Sequence, residues 1–280
     1  MSAVLALLSS VMWGIADFLG GTASRRLSPF AVIGVSQAIA LAGLLIVAGA
    51  TAAYDDPSGY VGWALAAGVV GLIALSAFYV ALASGTMGVV APIAAVGVIV
   101  PIAVGLARGE SPSALQLSGA AVTVLGVVLA SGPELRNGPG GVRPMLLALV
   151  AAAGFGGVLV FVAEGSDDSV TMTLLLMRVV TVAVVGGAAL VVRNVGGLAR
   201  TDVPLLAVIG AFDVAANACY AVASQSGLVS LTAVLASLYP AVTVLLARQI
   251  HGERLRRIQD AGVGVTLAGV VLMAAGGGAG

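Results

Sequence analysis

Long apolar runs, cut at intervals by short polar or turn-rich breaks, dominate the chain. A membrane-spanning helix needs roughly 20 mainly apolar residues. On that measure the runs predict ten spans, at about 3–23, 30–52, 60–84, 88–107, 113–131, 143–163, 170–192, 203–225, 229–249 and 258–276. The breaks include Ser24-Arg25-Arg26, Tyr54-Asp55-Asp56-Pro57, Gly109-Glu110-Ser111-Pro112 and His251 to Arg257. Each places charge or turn residues that hydrocarbon would reject. Composition agrees, with 60% hydrophobic residues, 9% charged and a mean hydropathy of +1.15 over 280 residues. So few polar groups cannot wet a surface, which predicts an all-α integral membrane protein that uses lipid as its solvent.

The pattern repeats. Gly88 and Pro101 recur as Gly227 and Pro240, and Gly109, Glu110, Gln116, Gly119 and Gly126 recur as Gly252, Glu253, Gln259, Gly262 and Gly269. A Gly/Pro-rich linker at 133–142 separates a first five-helix repeat, 1–132, from a second, 143–280. Trp13-Gly14 then stands opposite Phe155-Gly156, and Gln37 opposite Arg178. Five spans per copy is an odd number, so the second copy enters the membrane from the opposite face. That arrangement is an inverted-topology repeat with an expected site near the midplane between the halves.

Charge orients the chain. All twelve basic residues are arginine. Ten of them fall in or beside odd-numbered loops (Arg25, Arg26, Arg136, Arg143, Arg193, Arg200, Arg248, Arg254, Arg256, Arg257), against Arg108 alone in an even loop. Basic loops stay inside, so this bias predicts both termini outside. The net charge of zero suggests no nucleic-acid partner. The lone Cys219 cannot close an internal disulfide. Met1 to Gly21 lacks a basic start and contains Asp17, so it reads as a retained first span and not a cleaved leader.

An ionisable group inside a span is costly and is a functional candidate by default. Three qualify: Asp17, Arg178 and Asp213. Asp17 shares a helical stripe with Ser10, Trp13, Gly14 and Gly21, which should look into the bundle; its role is coupling or cargo contact, or else helix packing. Asp213, Asn217, Tyr220 and Ser224 form one polar line, either a cavity wall or an interhelical hydrogen-bond seam. Arg178 cannot shed its proton, so it must find an anion in Asp17, Asp213 or an acidic cargo. Gln37 sits at the matching position of the first repeat. Tyr79 and Tyr239, with Trp13 and Tyr220, could stack on a planar or cationic cargo. Pro101 and Pro240 free backbone carbonyls as hinges or cavity wall, and Pro92 predicts a further break. Glu110 and Glu253 are expected to cap helices or pair with Arg108 or Arg254, and His251 to lie solvated in its loop. The glycines at 119, 126, 262 and 269 should permit close helix contact.

Trp-Gly in the first span, a proline in spans four and nine, a following Glu, and Gln-x-x-Gly with a second Gly seven further on, nearly all of it present twice, resemble the EamA-type family of drug/metabolite transporters. The resemblance implies a ten-helix carrier with a central cavity, spans five and ten as outer scaffold, and both termini inside, opposite to the orientation that charge predicts. The neighbourhood of Asp17 is also similar to the first helix of small multidrug resistance proteins, which implies exchange of protons and cationic cargo.

The expected function is therefore secondary-active transport, as an exporter of small metabolites, amino acids or amphipathic cationic drugs by alternating access. Coupling to protons, residence in the inner (plasma) membrane, and a monomer or homodimer belong to the same expectation. The alternative is an intramembrane enzyme or a lipid or lipid-linked-sugar flippase. No metal-spaced His/Cys set, nucleophile elbow or phosphate-cradling loop appears, so neither catalysis nor any cofactor or metal is expected.

Overall fold

A computed structural model describes residues 1–51, 59–109, 111–131, 141–192, 197–225, 228–253 and 256–276. Every regular element among them is helical: α1 (Ser2–Ser24), α2 (Pro29–Thr51), α3 (Tyr60–Ser84), α4 (Met87–Ala95), α5 (Ile99–Ala107), α6 (Ala114–Ser131), α7 (Arg143–Asp168), α8 (Val170–Val192), α9 (Val203–Gln225), α10 (Val229–Ala236), α11 (Tyr239–Ile250) and α12 (Arg257–Gly276). Short 3-10 turns occupy Val96–Val98 and Arg200–Asp202. Eight helical stretches are long and apolar enough to cross a membrane, counting α4 through α5 as one and Thr232–Ile250 as another. The chain is thus a multi-pass, all-helical membrane protein.

The helices are apolar on every side, and size sorts their faces. Large side chains such as Ile46, Leu65, Val69, Ile73, Leu190 and Val191 point outward, while Ala6, Ala64, Ala67, Ala74 and Ala81 are fully buried. Lipid offers no hydrophobic drive for helix association, so close backbone approach between small residues must supply the contact. The α3–α7 pair shows how. Trp63 stacks near Phe161 with ring centroids 6.1 Å apart, Phe78 meets Phe155 edge-on at 5.3 Å, and Gly85 abuts Pro144. Numbers rise along one helix as they fall along the other, so the two run antiparallel. On α6 and α12, Gly126 lies against Gly262 and Thr266, and Gly269 against Gly119 and Thr123. The expected close contact is made between these two helices.

Two prolines coincide with the interruptions. The missing N–H of Pro101 would have bonded the carbonyl of Gly97, inside the 3-10 turn between α4 and α5. The missing N–H of Pro240 would have bonded Ala236, where α10 ends. Pro92 differs from expectation, because α4 continues through it as α-helix. As the sixth residue of that helix it lies beyond the first turn, and its missing N–H takes away the bond that the Gly88 carbonyl would have accepted.

Polar contacts gather at one end of the bundle. Arg25 Nη2 donates to Glu253 Oε1 at 3.1 Å, and the Glu253 carboxylate also accepts the N–H groups of Met87 (3.4 Å) and Gly88 (3.2 Å) at the start of α4. Glu253 therefore caps a helix remote in sequence and pairs with Arg25, while Arg254 lies outside the described residues. A helix N-terminus attracts a carboxylate, and Arg25 completes the charge. His251, expected to be solvated, is half-buried: its Nε2 lies 2.8 Å from Thr22 Oγ1 and its ring packs 5.1 Å from Phe18. Burial and the Arg25 guanidinium lower its pKa, against an opposing pull from Glu253. Arg108 pairs with Glu164, and Glu110 lies outside the described residues.

Candidate functional site

Three charged side chains meet in the middle of the bundle because three helices each present one at mid-length. Arg178, on α8, is 3% exposed, and its Nη2 lies 2.9 Å from Asp213 Oδ2 on α9. Its N–H is not aligned along that contact, so this is an ion pair and not a formed hydrogen bond; Nε also lacks an acceptor. Asp213 is held further. Gln37 Nε2 on α2 donates to its Oδ2 at 2.9 Å, and Asn217 Nδ2 lies 3.3 Å from Oδ1 while donating to the Asp213 carbonyl at 2.8 Å. Of the anions open to Arg178, Asp213 takes the role.

Asp17, on α1, is 8% exposed and has no hydrogen bond or ion pair among the described residues. It shares with Arg178 and Asp213 the wall of a cavity. Trp13, Gln37, Asn217 and Tyr239 line the same space, so seven of the nine predicted binding or coupling residues are brought together. Gln37 Oε1 and Tyr239 Oη are buried there without partners.

Two predicted residues stand apart from the cavity. Tyr220 is fully buried, donates its hydroxyl to the Leu159 carbonyl at 2.8 Å and packs its ring 6.0 Å from Trp13. Ser224 bonds back to Ala221 of its own helix, so the polar line of α9 faces the cavity only at Asp213 and Asn217. Tyr79 is buried with its ring against Gly20. The prolines do not line the central cavity either. Pro240 and Pro92 border a separate space, and Pro101 lines neither it nor the central cavity. What lines the main one is the chain at each break: Ala94, Ala95, Gly97 and Val98 in the first, and Ala236 and Ser237 in the second.

Sequence reasoning missed the apolar part of the wall, chiefly Leu72, Leu75, Val158, Leu159 and Met177. One signal existed for two wall residues: at the shift of 142 that pairs the repeats, Phe155 matches Trp13 and Leu159 matches Asp17, and both do line the cavity.

Comparison with known proteins adds two findings. Residues 1–132 and 142–275 match the family model described as "EamA-like transporter family". A solved structure titled only "Crystal structure of protein" is similar over 97% of this chain and 95% of its own, with a TM-score of 0.75 and 14% identity, a likeness of fold alone. No curated protein matches.

Proposed function

The chain belongs to the EamA-like transporter family, and from that premise we propose that it is a secondary-active carrier, in which two inverted five-helix halves, 1–132 and 143–280, rock about the central cavity. Contacts that occur in matched pairs support the inversion. Trp13 against Tyr220 has its counterpart in Phe155 against Phe78, each residue displaced by 142. Gly14 abuts the Tyr239 carbonyl, and its mate Gly156 abuts the Gly97 carbonyl and Val100. Gly126 against Thr266 is mirrored by Gly269 against Thr123. Mates that pack on one another head to tail are what a two-fold axis in the membrane plane produces.

The observation that carries the reading is the cavity itself, which holds two carboxylates and a guanidinium deep in an apolar body. Such charges are expensive there and mark a pathway. Cargo enters from one face, the halves rock, and it leaves at the other, with a proton gradient at Asp17 or Asp213 driving export. One chain contains the whole cavity, so a monomer in the plasma membrane suffices.

Liposomes carrying the purified protein test this. Loaded with amino acids or amines, they should exchange labelled cargo across the bilayer by counterflow and return it chemically unchanged. Conversion of the cargo would identify an enzyme instead, and absence of counterflow would remove the carrier reading. Asp17→Asn and Asp213→Asn should abolish uptake driven by a pH gradient; intact uptake in both would rule out coupling through these carboxylates.

A further inference from the structure

The repeat extends beyond the central cavity to the two ends of the bundle. At the shifts that pair the halves, 142 in the first helix of each and 143 after the broken one, Thr22 stands for Glu164 and His251 for Arg108. Both pairs of mates are in contact. Arg108 after α5 forms an ion pair with Glu164 on α7, and His251 after α11 sets its Nε2 2.8 Å from Thr22 Oγ1 on α1. Each contact joins the end of a broken helix in one half to the end of the first helix in the other. These fastenings must part when the halves separate at that end. Their chemistry differs. A guanidinium keeps its charge at every working pH. An imidazole does not, since its ordinary pKa of about 6.5 lies within that range. His251 is the only histidine in the chain.

The surroundings of His251 suit its neutral form. The half-buried ring packs 5.1 Å from Phe18, and the charged groups acting on it are Arg25, on the loop after α1, and Glu253, on its own loop. Glu253 would welcome an imidazolium, but its carboxylate already holds Arg25 and the N–H groups of Met87 and Gly88. The nearby cations are committed elsewhere, Arg248 to Asp260 on α12 at 3.0 Å and Arg26 to Asp202 before α9 at 2.9 Å. Resting on the rocking of two halves argued above, we propose that His251 and Thr22 form a pH-released latch, in which proton uptake by the imidazole opens the Arg25 end while the Arg108–Glu164 end is indifferent to the same change. Burial, and then Arg25, hold the pKa of the fastened ring below its ordinary value. Once the halves part, the ring reaches water and binds its proton more readily, so protons favour the parted state. The latch is at full strength above the ordinary histidine pKa and weakens as the pH falls through it. One proton is taken up per opening, and the cavity carboxylates have no part in it.

Paired spin labels read the separation of the halves without any cargo. On a Cys219→Ala background, Ser84→Cys at the end of α3 and Gln249→Cys near the end of α11 report the Arg25 end, and Leu106→Cys on α5 with Leu228→Cys before α10 report the other; all four positions are exposed. Distances are measured by pulsed electron resonance on the full chain in lipid nanodiscs, at about pH 8 and about pH 5.5, on either side of the histidine range. At the Arg25 end the long-distance fraction should rise about threefold in acid, and the other pair of labels should not lengthen. His251→Gln reaches Thr22 with an amide that does not titrate, and it should hold the short distance at both pH values. The double variant His251→Arg with Thr22→Glu transplants the ion pair of the other end, and it should also stay short. No acid response in the parent protein, a response that survives in either variant, or lengthening at the Arg108 end would overturn the latch. Counterflow in liposomes separates this from the carrier reading. Exchange of cargo without acid opening removes the latch and leaves the carrier, whereas acid opening through His251 without exchange removes the carrier and leaves the latch.

Discussion

The two cavity aspartates, Asp17 and Asp213, should respond oppositely to the same change. Asp213→Asn removes the counterion of a guanidinium that is 3% exposed and cannot lose its proton. Breaking a buried pair from one side costs about 3–5 kcal/mol, so unfolding of this variant in detergent should begin at clearly lower temperature. Asp17→Asn deletes a carboxylate that no partner stabilises, and the protein should be as stable as before or more so. The double variant Arg178→Met with Asp213→Leu should recover most of the loss, since an apolar pair can replace a buried ion pair at little net cost. Equal destabilisation by Asp17→Asn and Asp213→Asn would mean that Asp17 has a structural partner after all.

At the scale of elements, glycine decides which helices can touch. A Cβ on Gly97 would lie 2.0 Å from the Ala152 carbonyl oxygen, whereas one on Gly43 would meet nothing within 4 Å. Gly97→Ala should therefore force α7 away from the turn after α4 and cost about 1–3 kcal/mol. Gly43→Ala, on the open face of α2, should gain about 0.5–1 kcal/mol from helix propensity. Thermal unfolding of the two variants checks both signs. The existence and limits of these helices were readable in advance because length and hydropathy determine them: 30–52 was expected and Pro29–Thr51 is found, and the interruption near Pro240 was visible as a missing donor. The rotation of each helix about its axis was far less readable. The polar line on α9 did not say where along it the cavity ends, so nothing told Tyr220 to bond the Leu159 carbonyl and not the cavity, and nothing marked Leu72 on α3 or Met177 on α8 as wall. Charged, polar and aromatic groups betrayed their direction, which is why Asp17, Arg178 and Asp213 were found with Trp13, Gln37, Asn217 and Tyr239, and their aliphatic neighbours were not.

For the whole molecule, the ends differ although the halves are related. At one end Glu253 ties Arg25 on the loop after α1 to the start of α4. The repeat mate of Arg25 is Asp167, an acid, and the ion pair described at the other end is a different one, Arg108 after α5 with Glu164 on α7. A carrier held at the Arg25 end by a three-way contact, and at the other by a single more exposed pair, should rest with the Arg25 end shut. Ser24, buried beside the clamp, reports on it: with Cys219→Ala to remove the native thiol, Ser24→Cys should react slowly with a membrane-impermeant maleimide. Adding Glu253→Gln should speed the reaction severalfold, because the amide keeps the size of the side chain and loses the charge that holds both Arg25 and the α4 N–H groups. An unchanged rate would mean that the ion pair decorates a surface and does not gate it. The same cysteine reads the orientation. The arginine bias places this end in the cytoplasm, so the reagent should reach it in inside-out vesicles and not in intact cells, and the reverse result would place both termini inside.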